Sequence, residues 1–224
     1  MPDSLLQSIE LETGPQPTGS VIWLHGLGAD GNDFVPVVPE LKLPATLPVR
    51  FVFPHAPTRR VTINNGMPMR AWYDIAGANF NNRADIAGVQ QSQQQIEQLI
   101  AREVQRGIPS ARIVLAGFSQ GGAIALYAGL RYRERLAGIL ALSTYLVAAD
   151  KLPIEAASVN RDVPIFMAHG TADPMIRLDW AEASRKAMEA SGYRVVWHTY
   201  RMEHSVCLEE IQAISAWLQK VLAT

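Results

Sequence analysis

Ile113-Val114-Leu115-Ala116-Gly117-Phe118-Ser119-Gln120-Gly121-Gly122-Ala123-Ile124-Ala125-Leu126-Tyr127-Ala128 decides the reading of this chain. An apolar run suited to a buried strand stops at Gly117, and an apolar run suited to a helix starts after Gly121. Between them lies G-x-S-x-G, the pattern of a nucleophile elbow. Glycines two residues either side of the serine remove Cβ atoms where a sharp turn crowds its neighbours, so the Ser119 hydroxyl projects. A capping serine in a glycine-rich loop is the plainer alternative.

Working outward, short β-branched or apolar runs recur at Val21–Leu24, Val49–Phe53, Leu136–Leu142, Val163–Ala168 and Arg194–Tyr200. Each reads as a strand, like Ile113–Ala116. Helical spacing fills Ile86–Arg106, Gly121–Arg133, Leu178–Ser191 and Cys207–Leu222. Alternation of nearly all-apolar strands with helices predicts an α/β fold, a mostly parallel sheet covered on both faces. In the first helix Ile96, Leu99, Ile100 and Val104 share a face, and the polar stretch Gln90–Gln95 is expected to face solvent.

The 224 residues, 48% hydrophobic and 18% charged, suit one large core, and a single domain over 1–224 is expected. A formal net charge of −1 gives no electrostatic footprint for nucleic acid or an anionic membrane. No stretch approaches 18 uninterrupted apolar residues, and the start lacks a basic then apolar leader, so a cytoplasmic protein is expected. One cysteine, Cys207, excludes an intrachain disulfide and any multi-cysteine metal site. Neither a metal nor an organic cofactor is expected.

A serine hydroxyl needs an imidazole to accept its proton, and the imidazole needs a carboxylate to fix its tautomer. Of five histidines, His204 lies in the loop between the last strand and the last helix, at the sheet's carboxyl edge, where open α/β folds place their sites. His169 and His198 remain competitors. Asp173, in the turn His169-Gly170-Thr171-Ala172-Asp173-Pro174 after a strand, is the candidate carboxylate, although shaping that turn would also explain it. The order Ser, Asp, His is that of α/β-hydrolases. An oxyanion needs two donors: the Gln120 N–H follows the nucleophile at a helix start, and the Leu27 N–H comes from His25-Gly26-Leu27-Gly28-Ala29-Asp30-Gly31. That loop lacks G-x-G-x-x-G and Gly-Lys-Ser/Thr, which counts against a phosphate loop.

Leu-His-Gly-Leu-Gly-Ala-Asp-Gly, Gly-Phe-Ser-Gln-Gly-Gly, His-Gly-Thr-Ala-Asp-Pro and Met-Glu-His-Ser, in this order, make nearly the whole chain resemble the phospholipase/carboxylesterase family, which includes acyl-protein thioesterases. Pro54-His55-Ala56-Pro57, Pro68-Met69-Arg70-Ala71-Trp72-Tyr73-Asp74 and Leu142-Ser143-Thr144-Tyr145-Leu146 extend the likeness. The resemblance implies a compact α/β-hydrolase without a large lid and the triad Ser119, Asp173 and His204. It also implies an acyl groove lined by Leu27, Trp72, Tyr73, Leu146, Met175, Ile176 and Val206. Many relatives carry glutamine where His55 stands, and His55 is given no role. The expected activity is hydrolysis of short- to medium-chain carboxylic esters or thioesters, with S-acylated proteins or lysophospholipids as alternative substrates. A weak homodimer closing over an apolar rim containing Trp72, Tyr73 or Leu146 is also expected, as relatives are often dimers.

Overall fold

A computed structural model describes residues 5–77 and 85–223. Six of its strands fall on the runs anticipated above: β2 (Gly19–Leu24), β3 (Val49–Pro54), β6 (Ile113–Phe118), β7 (Gly138–Leu142), β8 (Ile165–Gly170) and β9 (Val195–Tyr200). They pair in parallel in the order β3-β2-β6-β7-β8-β9. Every residue of β2, β3, β7 and β8 is buried, which is why these strands read as nearly all apolar, with Arg50 of β3 the buried charged exception.

β1 (Ser8–Glu12) lies antiparallel on the outer edge of β3. Its sequence alternates, Ile9 and Leu11 packing inward between residues turned to solvent, as an edge strand requires. A two-stranded hairpin of β4 (Thr58–Val61) and β5 (Met67–Arg70) stands apart from the main sheet. Its turn uses Asn65 and Gly66, both at positive φ, 56° and 70°.

Helix α1 (Val37–Glu40) is a single turn and α4 (Leu152–Glu155) another. The long helices are α2 (Ile86–Gln105), α3 (Gln120–Arg131), α5 (Leu178–Ala190) and α6 (Leu208–Leu222). Two apolar cores result, one on each sheet face, the first holding residues of α2 and α3 and the second residues of α1 and α6. Helix α3 is buried along its whole length, so its sequence is apolar all round.

Two expectations for α2 need correction. Val104 is 39% exposed, and the inward place beside it is taken by Glu103, fully buried between Arg50, Arg102 and Arg106. Gln90–Gln95 is not wholly solvated. Six residues exceed one helical turn, so Ser92 and Gln95 are carried inward and buried. No helix among the described residues is long and apolar enough to cross a membrane.

Candidate active site

Ser119 stands between β6 and α3 with φ 54° and ψ −121°, a strained backbone for a residue with a Cβ. The strain is held from both sides. The Ser119 N–H donates to Leu142 O at 2.9 Å, and its carbonyl accepts from Thr144 Oγ1 at 2.6 Å. The two flanking glycines are obligatory here: a Cβ on Gly117 would sit 2.3 Å from the Gly121 backbone, and one on Gly121 would sit 2.4 Å from Leu24 O. The start of α3 approaches β6 at Gly117 and the end of β2 at Gly121 that closely only because neither position has a side chain.

Asp173 follows β8, its side chain fully buried. Its Oδ1 accepts the Met175 and Ile176 N–H groups at 2.8 and 2.9 Å, and its Oδ2 lies 2.7 Å from His204 Nδ1. Asp173 therefore does shape its turn, and the same carboxylate serves the histidine. A carboxylate oxygen accepts here, so in the neutral His204 ring Nδ1 carries the proton and Nε2 the lone pair. The Phe118 ring packs 4.7 Å from the His204 ring. Ser119 and His204 line one cavity of about 330 Å³ at the carboxyl edge of the sheet.

Neither rival histidine shares this wall. His198 stacks on Phe166 and Tyr200 within the sheet. His169 is buried, its Nε2 2.8 Å from Ile176 O, and burial pushes its pKa below the ordinary value.

The loop after β2 approaches Ser119 closely, since a Cβ on Gly26 would lie 3.5 Å from Ser119 Cβ. Gly28 turns the chain at φ 79°, its N–H donating to Arg70 O at 2.9 Å, and the Ala29 N–H returns to Gly26 O. The Leu27 N–H is left without an acceptor among the described residues. The Gln120 N–H is the first of α3, where no carbonyl lies one turn back. His25 fastens this loop. Its Nε2 accepts the Ala56 N–H at 3.1 Å, so its proton is on Nδ1, 2.7 Å from Gly26 O. Burial lowers its pKa to about 4 and keeps it neutral. His55, given no role above, accepts the Gly31 N–H on Nδ1 at 3.0 Å and ties down the far end of the same loop.

The acyl-groove expectations divide. Leu27, Met175 and Ile176 line the cavity. Trp72, Tyr73 and Leu146 do not: all three are buried in the first core. The chain bends at Trp72 and Tyr73 rather than running extended, and each ring finds a polar partner inside. Trp72 Nε1 donates to His25 O at 2.9 Å, and the Tyr73 hydroxyl lies 2.6 Å from that of Tyr145. Leu146 is one residue out of register, for its neighbour Tyr145 meets the cavity while the Leu146 N–H bonds Ser184 Oγ. Val206 packs against the second core. Sequence reasoning missed Ile63, Asn64 and Ile75, brought to the cavity by the β4–β5 hairpin and the segment after it. Asn65-Gly66 was the available signal. It also missed Phe118, inside the elbow motif itself.

Among the described residues, no group of three His, Cys, Asp or Glu side chains is placed to hold a metal ion. The profile of the phospholipase/carboxylesterase family matches residues 8–222. An acyl-protein thioesterase 1 from Neurospora crassa is 41% identical over 214 residues, covering 92% of this chain and 87% of its own. One from Yarrowia lipolytica is 40% identical over 208 residues, covering 91% and 92%. The crystal structure of Zea mays acyl-protein thioesterase 2 superposes with a TM-score of 0.83 at 26% identity, covering 97% of this chain and 99% of that one.

Proposed function

Since the chain belongs to the phospholipase/carboxylesterase family and is a serine hydrolase of the α/β-hydrolase fold, we propose that it hydrolyses short- to medium-chain carboxylic esters or thioesters through an acyl-enzyme on Ser119. The observation that carries this reading is the pairing of His204 Nδ1 with Asp173 Oδ2 at 2.7 Å, which leaves the other imidazole nitrogen as a base in the cavity that holds Ser119.

In this mechanism His204 Nε2 takes the Ser119 hydroxyl proton as Oγ attacks the carbonyl, and Asp173 stabilises the imidazolium that forms. The Leu27 and Gln120 N–H groups receive the tetrahedral oxyanion. Collapse breaks the bond to the alcohol or thiol, which leaves with the proton from His204. A water molecule then gives its proton to His204, attacks the acyl-enzyme and releases the acid, restoring Ser119.

An S-acylated protein as the substrate is favoured by one specific observation, the 41% identity to a protein named acyl-protein thioesterase 1. A cavity with few polar groups beyond the reacting ones accepts an acyl chain whatever alcohol or thiol carries it. The homodimer remains part of the proposal, but Trp72, Tyr73 and Leu146 are buried and cannot form its surface. Ile63 and Met175, 39% and 62% exposed at the cavity mouth, are the apolar residues available for it.

The deciding experiment treats the protein with a fluorophosphonate probe, maps the adduct, and assays oxygen esters and S-acyl cysteine peptides of equal acyl length. The expected adduct is on Ser119, with turnover of both substrate classes. An adduct elsewhere, or no hydrolysis of either class, overturns the proposal.

A further inference from the structure

His169 is the last residue but one of β8 and is not exposed to the cavity, yet two elements of the site converge on it. Its Nε2 lies 2.8 Å from Ile176 O and 3.4 Å from Asp173 Oδ2, the oxygen that also faces His204 Nδ1 at 2.7 Å. A carbonyl oxygen only accepts, so Nε2 must carry the proton. The tautomer is thereby fixed, and burial holds the ring neutral, against the pull of the Ile176 carbonyl and the Asp173 charge. The other nitrogen, Nδ1, is buried and has no hydrogen-bond partner among the described residues. Leaving an imidazole nitrogen unpaired in a core is costly, so packing alone accounts poorly for a histidine here. Trp197 stacks beside the ring, at 6.4 Å between centroids.

We infer that His169 is a positioning residue for Asp173, its Nε2–H holding the carboxylate through the Ile176 carbonyl and through its own dipole near Oδ2. The loop from Asp173 to Ile176 is a closed circuit: Asp173 Oδ1 takes the Met175 and Ile176 N–H groups, and Ile176 O takes the His169 N–H. Without that last bond the Asp173–Ile176 segment is held only by the two N–H groups on Oδ1, and the side of the carboxylate that carries Oδ2 loses its support opposite His204. The inference rests on Asp173 and His204 acting on Ser119, as proposed above.

Side-chain length separates this role from simple packing. Glutamine places an amide N–H near the position of the imidazole Nε2, asparagine reaches only as far as Nδ1, and leucine offers no donor. The variants His169→Gln, His169→Asn and His169→Leu are compared on an acetate ester, too short to depend on the Met175–Ile176 wall, with Ser119→Ala as control. The expected result is a kcat about tenfold lower for Leu and Asn with KM little changed, the effect of one hydrogen bond expressed at the transition state, and recovery in Gln to within about threefold of the parent. The low-field proton resonance of the His204–Asp173 bond should be displaced or lost in Leu and Asn and retained in Gln. Should Leu fail to fold, the Gln and Asn pair decides alone. A folded Leu or Asn variant with parental kcat and an unmoved resonance overturns the inference, as does a Gln variant no better than Asn. Undiminished turnover by Ser119→Ala would instead defeat the functional reading. The resonance, which needs no turnover, keeps the two failures distinguishable.

Discussion

The side chain of Gln120 clamps the backbone at Trp72: its Oε1 accepts the Trp72 N–H at 2.8 Å while its Nε2 donates to Tyr73 O, also at 2.8 Å. The residue whose own N–H is proposed to meet the oxyanion is thus fixed to a segment 48 positions earlier in the chain. That segment is fixed in turn to the other donor loop, through Trp72 Nε1 and His25 O. Both N–H groups proposed as oxyanion donors are therefore tied to one buried network, the preorganisation that such a role requires.

Gln120→Leu preserves approximate volume but leaves a buried N–H and a buried carbonyl unsatisfied. Stability should fall by about 1–3 kcal/mol per orphaned group. Because the Gln120 main chain is kept, kcat should fall more than KM rises. Denaturant titration and steady-state kinetics measure both. An unaltered midpoint with unaltered kcat would show that the clamp is ornamental.

Ser119→Ala and His204→Ala should each abolish nearly all turnover without disturbing the fold, since triad members act as a unit. Asp173→Asn should cost about 10⁴ in kcat through the wrong imidazole tautomer, by analogy with other triads. The same substitution would present an amide group to the Met175 and Ile176 N–H groups, so thermal unfolding must be measured alongside activity. His198→Ala, remote from the cavity, should retain most activity. An Asp173→Asn enzyme within tenfold of the parent would remove Asp173 from the mechanism.

How much of this was legible beforehand differs from residue to residue. The elbow was legible because its demand is written in five consecutive positions: Gly117 must lack a side chain where β6 meets α3, and Gly121 where α3 meets the end of β2. Strands β2, β3, β6, β7 and β8 were legible because burial makes a strand nearly all apolar, and β9, none of whose residues is buried, because it is rich in β-branched and aromatic residues. Strand β1 escaped notice because it is half exposed, and β4 and β5 because Arg59, Arg60 and Arg70 mask them as surface chain. Trp72 was misplaced because its location depends on partners 47 residues away, and no local pattern encodes a hydrogen bond to His25 O. Glu103 was missed in part for the same reason: Arg102 and Arg106 are its neighbours in the chain, but its third partner, Arg50, lies on a distant strand.

Glu210, in the first turn of α6, is fully buried, and neither carboxylate oxygen has a hydrogen-bond partner by strict geometry among the described residues. Burial pushes its pKa up to about 8, the nearby Cys207 N–H opposing this. The native state therefore retains a proton that the unfolded chain releases above the ordinary glutamate range. Stability attributable to this residue falls as pH rises, and the loss is complete only above the folded value. His25 works in the opposite direction: with its pKa lowered to about 4, its neutral form favours the fold at neutral pH, and that contribution is lost as pH drops below about 6.5. Between pH 6.5 and 8 only the Glu210 slope of these two operates, at up to about 1.4 kcal/mol per pH unit. Glu210→Gln should flatten the change in unfolding free energy across that interval. If parent and variant lose stability in parallel from pH 6.5 to 8, Glu210 is ionised throughout and its burial is compensated by other groups.

Acyl length should be read by a cavity wall that can be altered with little cost to the fold. Met175 is suited to this, being 62% exposed yet part of the cavity lining. Each methylene buried on binding contributes about 0.8 kcal/mol, close to fourfold in kcat/KM, so the parent enzyme should improve steadily over the first few carbons. A cavity of about 330 Å³ then runs out, and further carbons extend into solvent with no gain. Met175→Ser removes apolar surface at the mouth and leaves Asp173 its hydrogen bond from the residue 175 N–H, since that bond is to the main chain. Turnover of an acetate ester should therefore be unchanged, while the advantage of a six- or eight-carbon ester over acetate should shrink by about fivefold to tenfold. A series of p-nitrophenyl esters from two to sixteen carbons, run as monomers below micelle formation, gives both slopes. Continued improvement to sixteen carbons, or an equal loss at every length in Met175→Ser, would place the acyl chain somewhere other than against this wall.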